Sequence, residues 1–279
     1  MIKIKIIKII ITVLFLLPLI TKAGGWTQKK SGGFFILEYR FLKSSKYLDN
    51  SGEHIQIPEL SDASFNIYGE YGLTEKLTVL LNFPFYKMLK KDVSYHPGIY
   101  GNLEKNSGIG DPDVGLRYNM YSSGQTVLSA SLIFGIPLAN DVESVLPLGD
   151  GEFNQIYGFE IGHSFYPYPA YFTGEFKFNN RTQGYSDQLY YAVEAGYNLS
   201  AKVLVNLRLH AIQSLHNGSK ENKNSTLLFA NNQQFIAYKF GAFYNLNKNL
   251  GIAASFESGI IAYNIQSAPV FTIGTFLKF

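Results

Sequence analysis

The chain has 279 residues, of which 46% are hydrophobic, 15% are aromatic and 16% are charged. So many apolar residues with so few charges exclude an intrinsically disordered chain. The chain contains no cysteine, which excludes a disulfide scaffold, a thiolate metal site and a cysteine nucleophile.

The N-terminus has the three parts of a secretory signal peptide. Basic Met1–Lys8 precedes the apolar run Ile9–Ile20, and Thr21 and Ala23 supply the small residues of a cleavage site. The apolar run is shorter than the roughly 20 residues of a membrane-spanning helix, which argues against a permanent anchor. We therefore predict a cleaved signal peptide over residues 1–23.

The formal charge changes when this segment is removed. Residues 1–23 hold four of the 24 Lys and Arg residues and none of the 21 Asp and Glu residues. The predicted exported domain, residues 24–279, therefore carries 20 basic against 21 acidic residues. Without a basic excess to neutralise phosphates, the composition argues against nucleic-acid binding.

The exported domain shows the two-residue period of β-strands. Apolar Phe65, Ile67 and Tyr71, for example, alternate with polar Asn66 and Glu70. About twelve such runs have the ~10–13 residues with which a tilted strand crosses a bilayer. The predicted strands cover 31–43, 61–73, 76–87, 108–121, 125–138, 153–166, 170–181, 187–199, 202–214, 232–245, 250–261 and 268–279.

The connectors between these strands alternate between short and long. The short connectors are 74–76, 122–124, 167–169, 200–201 and 247–249. The long ones are 44–60, 88–107, 139–152 and 215–231, with shorter versions at 182–186 and 262–267. Short turns at one end and long loops at the other are typical of an outer-membrane barrel.

These patterns predict an all-β fold, a transmembrane antiparallel up-and-down β-barrel of about 12 strands. Lipid cannot hydrogen-bond to backbone groups, so a chain without spanning helices must close its sheet. The alternative is a soluble β-sandwich, which would carry charge on its non-core face. Here that face is apolar, and tyrosines typical of a membrane interface are expected near strand ends: Tyr39, Tyr71, Tyr118, Tyr197 and Tyr244.

The opposite face of the strands lines the predicted interior and carries both signs of charge. Its acidic residues are Glu38, Glu70, Asp111, Asp113, Glu160, Glu175, Glu194 and Glu257. Its basic residues are Arg40, Arg117, Lys177, Arg181, Arg208, Lys239 and Lys278, with His210 nearby. This balance argues against a single-sign ring of the kind found in ion-selective pores.

We predict two roles for these interior charges. Because an unpaired charge in a narrow lumen is costly, structural salt bridges are the first role. The second is contact with a solute, since a barrel of about twelve strands lies between filled and water-filled barrels and allows a narrow or gated path. The strongest candidates for solute contact are Arg40, Asp111, Asp113, Arg117 and Arg181.

The end of the chain resembles the C-terminal signature of bacterial outer-membrane β-barrels. Val270–Phe279 alternates once more, with Phe271, Ile273 and Leu277 on the face of the terminal Phe279. The resemblance implies location in the outer membrane of a Gram-negative bacterium and contact with its lipid. It also implies that the barrel-assembly machinery reads the last strand, with Phe279 as the assembly signal.

A second resemblance rests on Ser107–Tyr118 and the later Phe134–Pro137. The first segment reads Ser-Gly-Ile-Gly-Asp-Pro-Asp-Val-Gly-Leu-Arg-Tyr. It is similar to the outer-membrane family named after the meta-pathway of phenol degradation, although that family has an apolar residue where Pro112 and Asp113 follow Gly-Asp. The family implies a non-enzymatic, passive transporter or channel for small molecules, including hydrophobic or aromatic ones.

Other chemistry finds little support in the sequence. Gly108 and Gly110 lack the third glycine and the following helix of a dinucleotide loop. Asp111 and Asp113 lack the spacing of a calcium loop, also when taken with Asp150 and Glu152 of a later loop. We therefore predict no metal and no cofactor.

Two alternative functions remain. In one, the barrel is structural or binds partners through its long loops at 44–60, 88–107 and 215–231. In the other, the chain is an outer-membrane esterase that uses Ser214 and His216, although their order reverses the His-x-Ser of known barrel esterases. A polar loop at the barrel mouth is the interpretation we favour for this pair.

Overall fold

The computed structural model describes residues 24–92, 103–139, 144–219 and 228–279. The predicted signal peptide, residues 1–23, lies outside the described residues, as do parts of the predicted long loops at 88–107, 139–152 and 215–231. Within the described ranges, no helix has the length and apolar character needed to span a membrane.

In these ranges the chain forms antiparallel strands joined by turns and loops. The strands are β1 (Gly33–Leu48), β2 (His54–Gly72), β3 (Leu77–Asp92), β4 (Leu103–Gly108), β5 (Asp113–Ser123), β6 (Thr126–Gly135), β7 (Asn154–Ser164), β8 (Ala170–Asn180), β9 (Gln188–Asn198), β10 (Val203–Ser214), β11 (Gln234–Asn245), β12 (Leu250–Tyr263), β13 (Ile265–Gln266) and β14 (Val270–Lys278). Two of these strands are short additions at the long-loop end, where β4 pairs with β3 and β13 pairs with β1.

The remaining twelve strands of the described ranges close into a barrel. Each pairs with the next along the chain, and β14 pairs with β1 from Phe34 opposite Lys278 to Leu42 opposite Val270. The seam is extended by Gly33 and Phe279, which exchange two backbone hydrogen bonds of 2.9 and 3.0 Å. The predicted fold class, an all-β antiparallel barrel of about 12 strands, is therefore confirmed.

The strand predicted at 108–121 begins only at Asp113, as β5, and the prediction of a long loop at 88–107 is wrong at both ends, because β3 continues to Asp92 and β4 begins at Leu103. Both β4 and β5 pair with β3 in one register, Lys87 opposite Gly108 and Asn82 opposite Asp113. Between them Gly110 donates a backbone hydrogen bond of 2.9 Å to Pro84. Pro84 has no N–H to donate in return, and the β2–β3 register shifts at this level, so the ladder is interrupted by a bulge.

The prediction of a long loop at 44–60 is wrong for most of its length. The strands β1 and β2 continue pairing up to Leu48 and His54, which leaves a turn of residues 49–53. In that turn the Asp49 carboxylate accepts hydrogen bonds from the backbone N–H groups of Ser51 and Glu53. Polar residues such as Lys46 and Gln56, which lie opposite each other, interrupt the apolar alternation here, so the sequence gives no strand signal.

Burial follows the predicted alternation along the barrel strands. In β5, for example, Leu116 and Tyr118 are exposed on the outside, whereas Arg117 and Asn119 are buried on the inside. Tyr71, Tyr118, Tyr197 and Tyr244 lie outside near the short-turn end. Tyr39 was expected at a strand end but lies near the middle of β1, opposite Phe65, because β1 is longer than predicted. The barrel is thus apolar outside and polar inside.

Candidate functional site

The lumen is crossed by a continuous series of ion pairs, which we call the lumen ladder. It joins described residues of β2, β5, β7, β8, β9 and β10, whose charged side chains are at most 20% exposed. The N–O separations run from 2.5 Å for Arg117–Glu160 to 3.7 Å for Lys177–Glu160. In order, the members are Glu70, Arg117, Glu160, Lys177, Glu175, Arg208 and Glu194.

Neutral side chains complete the hydrogen bonding of the ladder. The Tyr68 hydroxyl donates to Glu70 at 2.5 Å, and the Tyr171 hydroxyl donates to Glu194 at 2.6 Å. Arg208 donates to the Tyr190 hydroxyl at 2.8 Å. Buried charges are tolerated only when paired and hydrogen-bonded in this way. The ladder therefore has the character of a structural brace, and solute contact by its members stays a prediction.

The lumen at the short-turn end contains the N-terminal segment, residues 24–30, which we call the N-terminal plug. Gln28 donates two hydrogen bonds to one wall of the barrel, through its backbone N–H to Thr78 and through its side-chain amide to Glu70, both at 2.8 Å. On the facing wall, Ser129 donates to the Gly25 carbonyl at 2.6 Å. These bonds fix the plug between opposite strands.

The plug is anchored by Trp26, which is 6% exposed. Its indole packs against Val127, Leu204 and the ring of Tyr171, at a centroid distance of 6.3 Å. A Cβ at Gly162 would lie 2.7 Å from the indole, so that position must be glycine for Trp26 to fit. Sequence reasoning missed the plug because it lies outside the alternating segments, and the single tryptophan of the chain is its one visible signal.

The long-loop end is obstructed by a second segment, residues 144–153, which we call the mouth loop. Its Leu146 and Leu148 are 2% and 5% exposed and belong to an apolar cluster with Leu60 and Leu89 of the wall. The carbonyl of Leu146 accepts a hydrogen bond from Asn106 at 2.8 Å. The mouth loop therefore folds inward, across the top of the lumen.

Asp111 holds one side of the mouth loop. Its carboxylate accepts the backbone N–H groups of Ala139 at 2.8 Å and Asp150 at 3.1 Å. A Cβ at Gly149 would collide with this carboxylate, so the close approach requires glycine. Burial raises the pKa of the Asp111 carboxyl, and the backbone N–H groups oppose that shift. Neighbouring Asp113 instead contacts Asn82, whose amide donates at 3.2 Å.

Arg181 holds the other side. Its guanidinium pairs with Asp150 at 3.1 Å and with Glu152, which also accepts the backbone N–H of Thr182. Burial raises the pKa of the Glu152 carboxyl to about 8, even though Arg181 acts in the opposite direction.

Among the described residues, no three acidic, histidine or cysteine side chains are grouped as metal ligands.

The remaining wall of the lumen is less crowded, and we call it the open wall. The side chains of Arg40 and Glu257 are 37% and 28% exposed, against at most 8% for the ladder glutamates. Arg40 lies 3.6 Å from Asp62, and His210 lies 3.5 Å from Glu257. The charged residues and histidine of the open wall are Glu38, Arg40, His210, Lys239 and Glu257.

The structure separates the two residues of the esterase alternative. The Ser214 hydroxyl donates to the Asn232 amide oxygen at 2.9 Å. The His216 ring instead contacts the Gln234 amide at 3.1 Å. The hydrogen bond between His216 and Ser214 is donated by the His216 backbone N–H to the serine hydroxyl. Ser214 is also 3% exposed. The hydrogen bond that activates a serine nucleophile is therefore not formed by this pair.

Two predicted residues lie at the short-turn rim. The Lys278 ammonium donates to the Asn245 amide oxygen at 2.7 Å and lies 5.6 Å from the ring of Phe276. Phe279 is 56% exposed on the outside, where its ring stacks on Phe35 at 6.0 Å. An assembly signal at Phe279 would thus be accessible from outside the barrel.

Comparison with solved structures shows the same fold in proteins of very different sequence. An outer membrane channel from Pseudomonas putida F1 is similar with a TM-score of 0.65 and 10% identity, over 93% of this chain and 100% of that one. The NanC porin is similar with a TM-score of 0.51 and 6% identity, over 87% of this chain and 100% of that one. The β domain of the Bordetella autotransporter BrkA is similar with a TM-score of 0.51 and 14% identity, over 90% and 100%.

No protein-family model matches the chain, and no curated protein matches it at a significant level. At the identities of the solved structures, the likeness shows the fold alone. The resemblance to the family of the meta-pathway of phenol degradation therefore stays a prediction.

Proposed function

We propose that the chain is an outer-membrane β-barrel of a Gram-negative bacterium that lets small molecules pass through its lumen. One observation supports this proposal most directly. The N-terminal plug and the mouth loop obstruct the lumen, and neither is part of the barrel wall. In barrels of about eight strands the side chains of the wall fill the interior, whereas the interior of this larger ring also holds two segments from outside the wall. Movement of the two segments would open a path.

The outer surface supports the proposed location. Large apolar side chains such as Leu116, Ile161, Val193 and Ile273 are exposed on the outside. The closed ring satisfies the backbone of every barrel strand without an open edge, as a lipid environment requires. We therefore propose outer-membrane lipid as a partner, the assembly machinery as a reader of Phe279, and the cleaved signal peptide at 1–23 as the export signal.

The chemistry of the lumen bears on the solute. The resemblance in the sequence implies a small, hydrophobic or aromatic molecule, and similar solved structures include a channel and a porin. A purely apolar solute would gain little from a lumen lined by the ladder and the open wall, since burying charge against apolar surface is costly. The structure favours a small solute that carries polar groups of its own.

Passage is tested with the purified barrel in planar bilayers and in liposomes that swell as a solute enters. We expect small conductance steps and swelling with small solutes, and larger steps when the mouth loop is released. Absence of permeation by every solute, combined with loss of partner binding on loop deletion, would favour the surface-interaction alternative. Release of fatty acid that disappears in Ser214→Ala would favour the esterase.

A further inference from the structure

Two opposite charges of the open wall form no ion pair in the described part of the chain, although one of them, Lys239, lies opposite Glu257 in the β11–β12 ladder. Glu38 of β1 and Lys239 of β11 face the lumen within electrostatic range of each other, and neither forms a hydrogen bond or an ion pair among the described residues. By contrast, Arg40 contacts Asp62 and His210 contacts Glu257. Unpaired charges in a confined lumen are costly, so this pair needs a reason beyond barrel stability.

The wall between them leaves room for a solute. β12 and β14 separate β11 from β1, and their inward residues near this level are small. In register, Glu38 lies opposite Gly274, which lies opposite Ala253. A Cβ at Gly274 would lie 3.0 Å from the Glu38 Cγ, so the Glu38 side chain lies over that glycine. The small inward residues are Ala253, Ser255, Thr272 and Gly274.

The surrounding charges are balanced. Glu257 lies within electrostatic range of both Lys239 and Arg40. Arg40 has the most exposed side chain among the residues that form ion pairs in the open wall. An ion of either sign therefore meets a like charge beside the attractive one. The ring of Phe235 packs edge-on against His210 at 5.6 Å and adds an apolar surface nearby.

We propose that the solute crosses between Glu38 and Lys239, and that this site favours small zwitterions over ions and over neutral molecules of equal size. A solute carboxylate pairs with the Lys239 ammonium while a solute ammonium pairs with the Glu38 carboxylate. A molecule with one charge compensates one partner and leaves the other unpaired. This inference rests on the proposed function, because it names the solute class of the same lumen.

The test measures swelling of liposomes that contain the full-length purified barrel. The probes are L-alanine, lactate and lactamide, which have nearly the same size and differ in charge. We expect alanine to enter about two- to fivefold faster than lactamide, the range for a solvent-accessible ion pair. Lys239→Gln and Glu38→Gln should each remove the preference, whereas Lys278→Gln at the short-turn rim should keep it.

A reversed pair provides a second measurement that does not depend on losing a charge. Glu38→Lys combined with Lys239→Glu should restore the preference for alanine that either single change removes. Equal entry of alanine and lactamide into wild-type liposomes would overturn the zwitterion site but leave passage intact. Entry of none of the probes would overturn the proposed function itself. Heat-modified electrophoretic mobility identifies variants that fail to fold.

Discussion

Asp111 accepts a backbone hydrogen bond from Asp150 at 3.1 Å, across 39 positions of the chain. Together with its bond to Ala139, this contact joins the bend between β4 and β5 to the mouth loop. The Gly-Asp pair that carries the family resemblance in the sequence thus has a structural task, which is to hold a loop across the lumen.

Asp111→Ala should release the mouth loop. The change removes two hydrogen bonds to a carboxylate, each contributing about 1.5–3 kcal/mol. We expect a larger single-channel conductance and faster amide hydrogen exchange in residues 144–153. Asp113→Ala is the matched control, because Asp113 contacts Asn82 and not the loop. Equal conductance in both variants would show that Asp111 does not hold the loop.

Trp26→Ala should loosen the N-terminal plug. The indole is almost fully buried, and truncation of such a residue costs about 3–5 kcal/mol of local packing. Conductance should rise while the barrel keeps its heat-modified mobility, because the strand pairing that closes the wall does not include the plug. Lys30→Ala, an exposed position of the same segment, should leave conductance unchanged. Unaltered conductance in both variants would mean that the plug does not obstruct the path.

Arg117→Met should destabilise the barrel. It leaves Glu70 and Glu160 without the arginine that pairs with both, and breaking a buried pair costs about 3–5 kcal/mol. The measurement is urea unfolding of the barrel in lipid vesicles. Adding Glu70→Gln and Glu160→Gln to the same variant should recover most of the loss. Failure of that recovery would assign the effect to packing instead of charge.

The mouth loop should become less stable as pH rises. The pKa of Glu152 is raised to about 8 from a usual value of 4.5, so the folded loop retains a proton that the unfolded loop has already lost. The contribution of Glu152 to the stability of the loop is therefore fully present below pH 4.5 and is lost as the pH rises through about 8. Conductance should increase over this window in the wild type and stay level in Glu152→Gln. Glu53→Gln, in an exposed turn, is the control.

Alternation along the sequence predicted the strands and the faces of most of their residues. Arg117 and Glu160 lie inside and Tyr118 and Ile161 lie outside because a strand presents successive side chains to opposite faces. Closure of the sheet into a barrel was also predictable, because lipid cannot hydrogen-bond to the backbone groups of an open sheet edge.

Contacts across the lumen could not be predicted in the same way. Arg117 and Glu70 belong to strands that are separated by β3, and alternation carries no information about which inward residues meet. The inward fold of the mouth loop depends on Asp111 meeting residues far along the chain. The height of the β1–β2 hairpin was missed because its polar pairs, such as Lys46 opposite Gln56, give no periodic signal.

The position of Gly24 bears on the order of events during biogenesis. A Cβ on Gly24 would collide with the Thr173 side chain, which points inward and is 1% exposed. The chain therefore lies inside the barrel from its first described residue, an arrangement most simply reached if the N-terminal plug is in place before β14 pairs with β1.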